Sequence, residues 1–278
     1  MNTLKDMIFE LSEANGTPGA ESEISNIIEK YVSGFAEVKK DKFGNVTADM
    51  AAGEKTILLD AHMDRIGMIV TGIEDGGFLR VAKCGGMDAR VLAAQDVTIW
   101  GKEPVYGVVT STPPHLSTPE DAKKAKDFDA ILIDTGMTKG EAEKLISQGD
   151  RITVRCPHGE MENGRVFGAA LDDRAGCAAI IRAAELVSGT KDRPSVKLLF
   201  SGQEETGCDG AITGSFNLDA DESISVDVSF ADAPDMPSEK CGKLNKGPMI
   251  GIAPVLDYKI SQRLKAIAEE KKIPYQLE

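Results

Sequence analysis

The chain has 278 residues, 41% of them hydrophobic and 28% charged, with a formal net charge of −13. That length and balance suffice for a large buried core and exclude global disorder. The acidic character excludes nucleic acid and anionic membrane as partners, since both need basic surface, and no apolar run approaches the roughly 20 residues that span a bilayer.

"MNTLKDMIFELSEANG" at the N-terminus mixes charge with helical periodicity, unlike a secretory signal. "ESEISNIIEKYVSGF" places Ile24, Ile27, Ile28, Tyr31, Val32 and Phe35 at helical spacing on one apolar stripe. Phe43-Gly44-Asn45 marks a turn between two short strands, the second leading toward "TILLDAH" at 56–62. From about 67 to 158 come short strands and many glycines. Within that stretch, "GKEPVYGVVTSTPPHLSTPEDAKKAKDF" holds a Pro- and Lys-containing loop expected to be mobile.

"RAGCAAIIRAAELVSG" (174–189) predicts a well-buried helix, and "SVKLLFSG" (195–202) and "SISVDVSFA" (223–231) predict short strands. "YKISQRLKAIAEEKK" (258–272) predicts an amphipathic helix with Ile260, Leu264 and Ile267 on one face. Strand and helix alternate in the outer segments, which predicts an α/β layer structure with a mostly parallel sheet. The middle predicts a small β-rich domain, 67–158, inserted into a discontinuous one formed by 1–66 and 159–278. Five cysteines (84, 156, 177, 208 and 241) are scattered and contain no CxxC pair, which predicts reduced thiols and a cytoplasmic chain.

Ligands in an open α/β sheet sit at the carboxyl ends of strands, and polar residues gather there. His62 closes "TILLDAH", with Asp64 two positions on. Asp172 and Asp173 precede a helix in "GAALDDRAG", Glu204 and Glu205 follow a strand in "FSGQEETGCDGA", and Asp227 lies in "SVDVSFADAPD" with Asp232 and Asp235 beyond it. Taken singly these are a helix cap, an exposed turn and a hydrogen-bonded histidine. Taken together, so many carboxylates at one sheet edge raise each other's pKa or recruit a cation. With a histidine among them the cation is Zn²⁺, Co²⁺ or Mn²⁺ rather than Ca²⁺.

At these residues the chain resembles the M42 family of metallo-aminopeptidases, the tetrahedral or TET aminopeptidases. "AHMDRIG", "ALDDRAG", "QEETGCDGA" and "VDVSFADAPD" match the family's metal-site segments in order, and "FGN", "KCGGMDARVL", "PPHL" and "KKIPYQLE" resemble others. The resemblance implies a zinc-peptidase-like three-layer α/β sandwich and two divalent metal ions per subunit, zinc or cobalt, with manganese as the further candidate. His62 and Asp227 would bind one ion, Glu205 the other, and Asp172 would bridge them. Glu204 would be the general base, and Asp64 would orient the His62 imidazole. It also implies short peptides as substrates and a dodecameric homo-oligomer in which the inserted domain serves dimerisation and assembly.

Two features depart from the family pattern. Arg65 stands in "AHMDRIG" where the family usually has glutamate, and could pair with a site carboxylate. The family continues after the segment resembling "IPYQLE" with a "GGTDA"-like motif, final strands and a last histidine ligand, and His115 and His158 are expected to make polar contacts instead of replacing it. Two other functions stay open on these residues: a degenerate, non-catalytic assembly relative with an incomplete metal site, and a related metal-dependent amidase or deacylase.

Overall fold

In the computed structural model, which describes residues 3–116 and 127–278, helix α1 (Leu4–Glu13) opens with a capping box between Thr3 and Asp6. Helix α2 (Ser22–Val32) buries Ile24, Ile28 and Val32, the stripe its periodicity predicts. Strands β1 (Glu37–Lys40) and β2 (Val46–Met50) form an antiparallel hairpin around the Phe43-Gly44-Asn45 turn. Asp41 Oδ1 accepts the Phe43 and Asn45 amides there, and Gly44 takes φ 105°, which lacks a steric cost only for glycine. Strand β3 (Thr56–His62) follows.

The next stretch closes a barrel. Strands β4 (Gly67–Ile73), β5 (Leu79–Cys84), β6 (Asp96–Trp100), β7 (Pro104–Val109), β8 (Leu132–Asp134) and β9 (Arg151–Val154) join in the order β4-β5-β8-β7-β6-β9. Short helix α3 (Lys139–Leu145) lies between the last two. The barrel has its own apolar core, which includes Met68, Leu79, Ile99, Ile133 and Ile152. Part of the loop expected to be mobile, 117–126, falls outside the described residues.

A small hairpin, β10 (Gly159–Met161) with β11 (Arg165–Phe167), leads into helix α4 (Leu171–Ser188). Strand β12 (Ser195–Ser201), helix α5 (Asp209–Phe216) and strand β13 (Glu222–Ser225) come next. The main sheet has the order β1-β2-β12-β3-β13. It is mixed, which corrects the expectation of a mostly parallel sheet: β3 pairs parallel with β12 and β13, whereas β2 pairs antiparallel with β1 and β12. The tight turn after β1 reverses the chain with no crossover, so an antiparallel pair is the only pairing it permits.

One face of the sheet buries Val46, Ala48, Ala61, Val196, Leu198 and Phe200 against α1, α2 and α4. The alternate residues point to the other face, where Leu199 meets α5. Strand β13 ends at Ser225, opposite Asp60 of β3, short of the predicted 223–231.

Packing divides the chain into two compact units, Met1–Asp227 and Val228–Glu278. The barrel belongs to the first. In the second, β14 (Met249–Ile250) pairs parallel with β15 (Gln276–Leu277). Helix α6 (Tyr258–Lys271) is capped by Asp257, whose Oδ1 accepts the Lys259 and Ile260 amides. It buries Ser261 and Ala268 while Ile267 of the predicted apolar face stays exposed.

Candidate metal centre

Three parallel strands end together. Ser201 lies opposite His62 and Ser225 opposite Asp60. The Val226 amide donates to the Asp60 carbonyl, which extends the ladder past β13. This register sets Asp227 just beyond the strand and beside His62, with Oδ1 4.0 Å from Nε2. The start of α4 brings the aspartate pair to the same edge. Arg174 pins that start: it is wholly buried, and its Nη1 donates to the Leu11 carbonyl at 2.7 Å. Asp172 Oδ1 then lies 3.0 Å from His62 Nε2. Asp173 is buried, and its Oδ1 accepts the Gly176 amide, which is the helix-cap role that an acidic pair suggests.

Glu204 and Glu205 follow β12 on a turn entered through Gln203 in a left-handed conformation, φ 58°. Asp64, with no exposed surface, holds that turn. Its Oδ1 accepts the Glu204 amide at 3.0 Å and its Oδ2 the Glu205 amide at 3.2 Å. The same carboxylate faces His62 Nδ1 at 3.4 Å, a contact too long for a strong hydrogen bond and better described as an ionic one. Sequence reasoning saw only the imidazole contact. The grip on the two amides joins residues 140 and 141 positions apart, which no local spacing announces. Glu204 Oε2 completes the group, 4.0 Å from His62 Nε2.

The six residues given roles from the sequence, His62, Asp64, Asp172, Glu204, Glu205 and Asp227, thus meet at one sheet edge. Asp173, noted there among the strand-end carboxylates, was given no role. Among the described residues, His62, Asp173 and Asp227 place ligand atoms within 4.8 Å of one another. Arg65 does not pair with a site carboxylate. Its side chain is buried, its Nε has no hydrogen-bond partner, and the charge near it is that of Arg174 rather than of a site carboxylate. His158 stacks on Phe9 and pairs with Glu13 at 2.9 Å, the polar contact expected of it.

The electrostatics of the cluster are those of an anion excess. Burial, helped by Asp227, pushes the Asp173 carboxyl up to about 8. Burial and the neighbouring Asp172 push Glu205 up to about 7. Burial lifts Asp60 to about 6 against a hydrogen bond from Ser201. Burial works the other way on His62, but its bonds to Asp172 and Asp64 outweigh it and the imidazole is pushed up to about 11. Each group binds a proton more readily than usual, in a place where a cation would serve. Asp173 Oδ2 is also buried without a partner. One imidazole nitrogen, several carboxylate oxygens and an orphaned buried oxygen fit a divalent transition metal.

A layered α/β fold with this donor set at its strand ends defines a metal-dependent hydrolase. Residues 44–278 match the family model described as M42 glutamyl aminopeptidase, and the chain belongs to that family. It is 34% identical to the lysyl aminopeptidase of Pyrococcus furiosus over 246 residues, 87% of this chain and 70% of that one. The TET aminopeptidase of the marine sediment archaeon Thaumarchaeota archaeon SCGC AB-539-E09 superposes with a TM-score of 0.92 at 30% identity, covering 99% of this chain and 81% of that one. The TET1 peptidase of Pyrococcus horikoshii, described as assembling into a tetrahedron or a large octahedral shell, gives a TM-score of 0.89 at 30% identity, covering 99% and 84%. The chain is accordingly a hydrolase of the aminopeptidase type, and its family implies a divalent metal.

Proposed function

We propose that the chain is a two-metal aminopeptidase that removes N-terminal residues from short peptides. The convergence of His62, Asp173 and Asp227 within 4.8 Å at the strand ends carries this reading. His62 and Asp227 would hold one ion with Asp173 beside them, Glu205 would hold the other, and Asp172 would serve both; the ions would be zinc or cobalt, with manganese as the alternative. When bound, they supply Lewis acidity to the attacking water and to the scissile carbonyl.

Glu204 is the general base: it takes a proton from the attacking water and returns it to the leaving amine. Its side chain is about one-third exposed, so it is reachable from the substrate side while its backbone is held by Asp64. Asp64 favours the tautomer of His62 with the proton on Nδ1, leaving the Nε2 lone pair for an ion. The surplus carboxylates also offer the substrate's α-ammonium a counter-charge, which limits attack to the first peptide bond.

Residues 1–66 and 159–278 form the catalytic part in this reading, with 67–158 inserted for dimerisation and assembly. A closed barrel with its own core supports an insertion of that kind. The likeness to the solved PhTET1-12s structure, described as a dodecamer, supports a dodecameric homo-oligomer. Five free cysteines suit the cytoplasm, and among the described residues no helix is long and apolar enough to cross a membrane.

The test is Glu204→Gln. Turnover of a peptide with a free N-terminus falls by about 10²–10⁴ while bound zinc stays at the wild-type ratio. Wild-type turnover in that variant would remove Glu204 from the reaction.

A further inference from the structure

The turn that carries Glu204 and Glu205 begins two residues earlier, and its earlier amides are held as well. Asn45, with no exposed surface, accepts the Gly202 amide on Oδ1 at 3.0 Å and donates from Nδ2 to Asp41 at 2.8 Å. Glu21 is 4% exposed. Its Oε1 accepts the Gly19 amide at 2.8 Å, and the Gln203 amide lies near enough to favour its charged form. With Asp64 on the Glu204 and Glu205 amides, the amides of 202, 204 and 205 end on two buried side chains, and the buried Glu21 carboxylate stands beside the remaining one at 203.

A helix-capping role does not account for Glu21. It occupies the N-cap position of α2, yet its side chain makes no cap bond to that helix. It turns instead toward Gly202, where a Cβ would stand 3.1 Å from Oε1. Burying a carboxylate is costly unless hydrogen bonds satisfy it, and here Gly19 donates one while the 202–203 backbone packs against the same group. Asn45 is likewise more than a turn residue, because its carbonyl reaches a strand end 157 positions away.

We infer that Glu21 and Asn45 are positioning residues of the metal centre, which lock the 202–205 backbone so that Glu204 and Glu205 point at the ions. The inference rests on the function proposed above. Backbone order, however, can be read without any metal.

The experiment compares the wild type with Glu21→Ala, Glu21→Gln and Asn45→Ser. Hydrogen–deuterium exchange is followed on the metal-free chain, and Zn²⁺ affinity by chelator competition below the melting temperature. In Glu21→Ala and Asn45→Ser, peptides covering 202–205 exchange about fivefold faster or more, while barrel peptides are unchanged. Zn²⁺ affinity drops on the order of tenfold. Glu21→Gln keeps an acceptor oxygen and restores both readouts.

Unchanged 202–205 exchange in Glu21→Ala and Asn45→Ser overturns the inference, as does faster exchange with wild-type Zn²⁺ affinity. Faster exchange in a chain whose wild type binds no Zn²⁺ refutes the metal reading and with it the positioning of ligands. If Glu21→Ala does not fold, Asn45→Ser decides, because it leaves the buried carboxylate and its Gly19 contact in place.

Discussion

Replacing Asp64 by asparagine changes one oxygen into an amide nitrogen and almost nothing in shape. The carboxylate offers an oxygen to each of two buried amides, at 3.0 and 3.2 Å. Asparagine has one acceptor oxygen, so one of those amides comes to face another donor. A hydrogen bond to a charged group contributes about 1.5–3 kcal/mol, and a stranded buried donor costs about 1–3 kcal/mol. Taking the low end of each, the loss is about 2.5 kcal/mol. At about 2–4 °C per kcal/mol for a chain of this size, the metal-free melting temperature falls by about 5–10 °C. The same change removes the partner of His62 Nδ1, so Zn²⁺ affinity falls about 10–100-fold. Thermal melts by circular dichroism and chelator competition measure the two effects separately. A variant that melts within about 2 °C of the wild type and binds Zn²⁺ equally well would refute the idea that Asp64 holds the turn and the imidazole together.

The metal-free protein loses stability as pH rises. Asp173, Glu205 and Asp60 have folded-state values raised to about 8, about 7 and about 6. An acid with a raised folded value contributes stability that is full below its unfolded value and is lost as pH climbs through the folded one. The chelated protein therefore melts lower at about pH 8 than at about pH 5, and saturating Zn²⁺ abolishes most of that difference; a melting temperature that rises over the same interval without metal contradicts the anion excess. Arg65→Met, which removes a buried guanidinium whose Nε has no partner, raises the metal-free melting temperature by a few degrees. Zn²⁺ affinity stays within about twofold of the wild type, whereas weaker Zn²⁺ binding would give the guanidinium a part in the centre.

What could be read from the sequence was what local pattern determines. His62, Glu204 and Asp227 stand out because a polar residue at the end of an apolar strand is visible within a few positions, and α2, α4 and β12 lie where periodicity puts them. Strand direction was less legible. Alternation of buried and exposed residues is the same in parallel and antiparallel ladders, so β2 gave no sign that both of its pairings are antiparallel. Glu21, Asn45 and Asp173 were hidden for a related reason. Glu21 and Asn45 sit in an ordinary helix entry and an ordinary turn, and only the approach of the 202–205 segment gives their oxygens donors to accept. Asp173 resembles a plain helix cap, and it is one; its orphaned Oδ2 becomes informative only when His62 and Asp227 stand beside it.

The three buried acceptors also explain how the chain tolerates so much negative charge before any ion arrives. Carboxylates that repel one another move apart if their backbone allows it, and the pressure is real here, since Asp172 and Asp64 both help to raise Glu205. A loose 202–205 turn would relieve that repulsion by swinging Glu204 and Glu205 outward. Held at the 202, 204 and 205 amides, it cannot, and the repulsion persists as raised pKa values instead. The amides serve a second purpose: their positive ends point at Asp64, Glu21 and the Asn45 carbonyl, so the side chains that fix the turn are themselves satisfied. The fold therefore keeps the ligands close together in the absence of the cation, and an arriving divalent ion replaces protons rather than rebuilding the site.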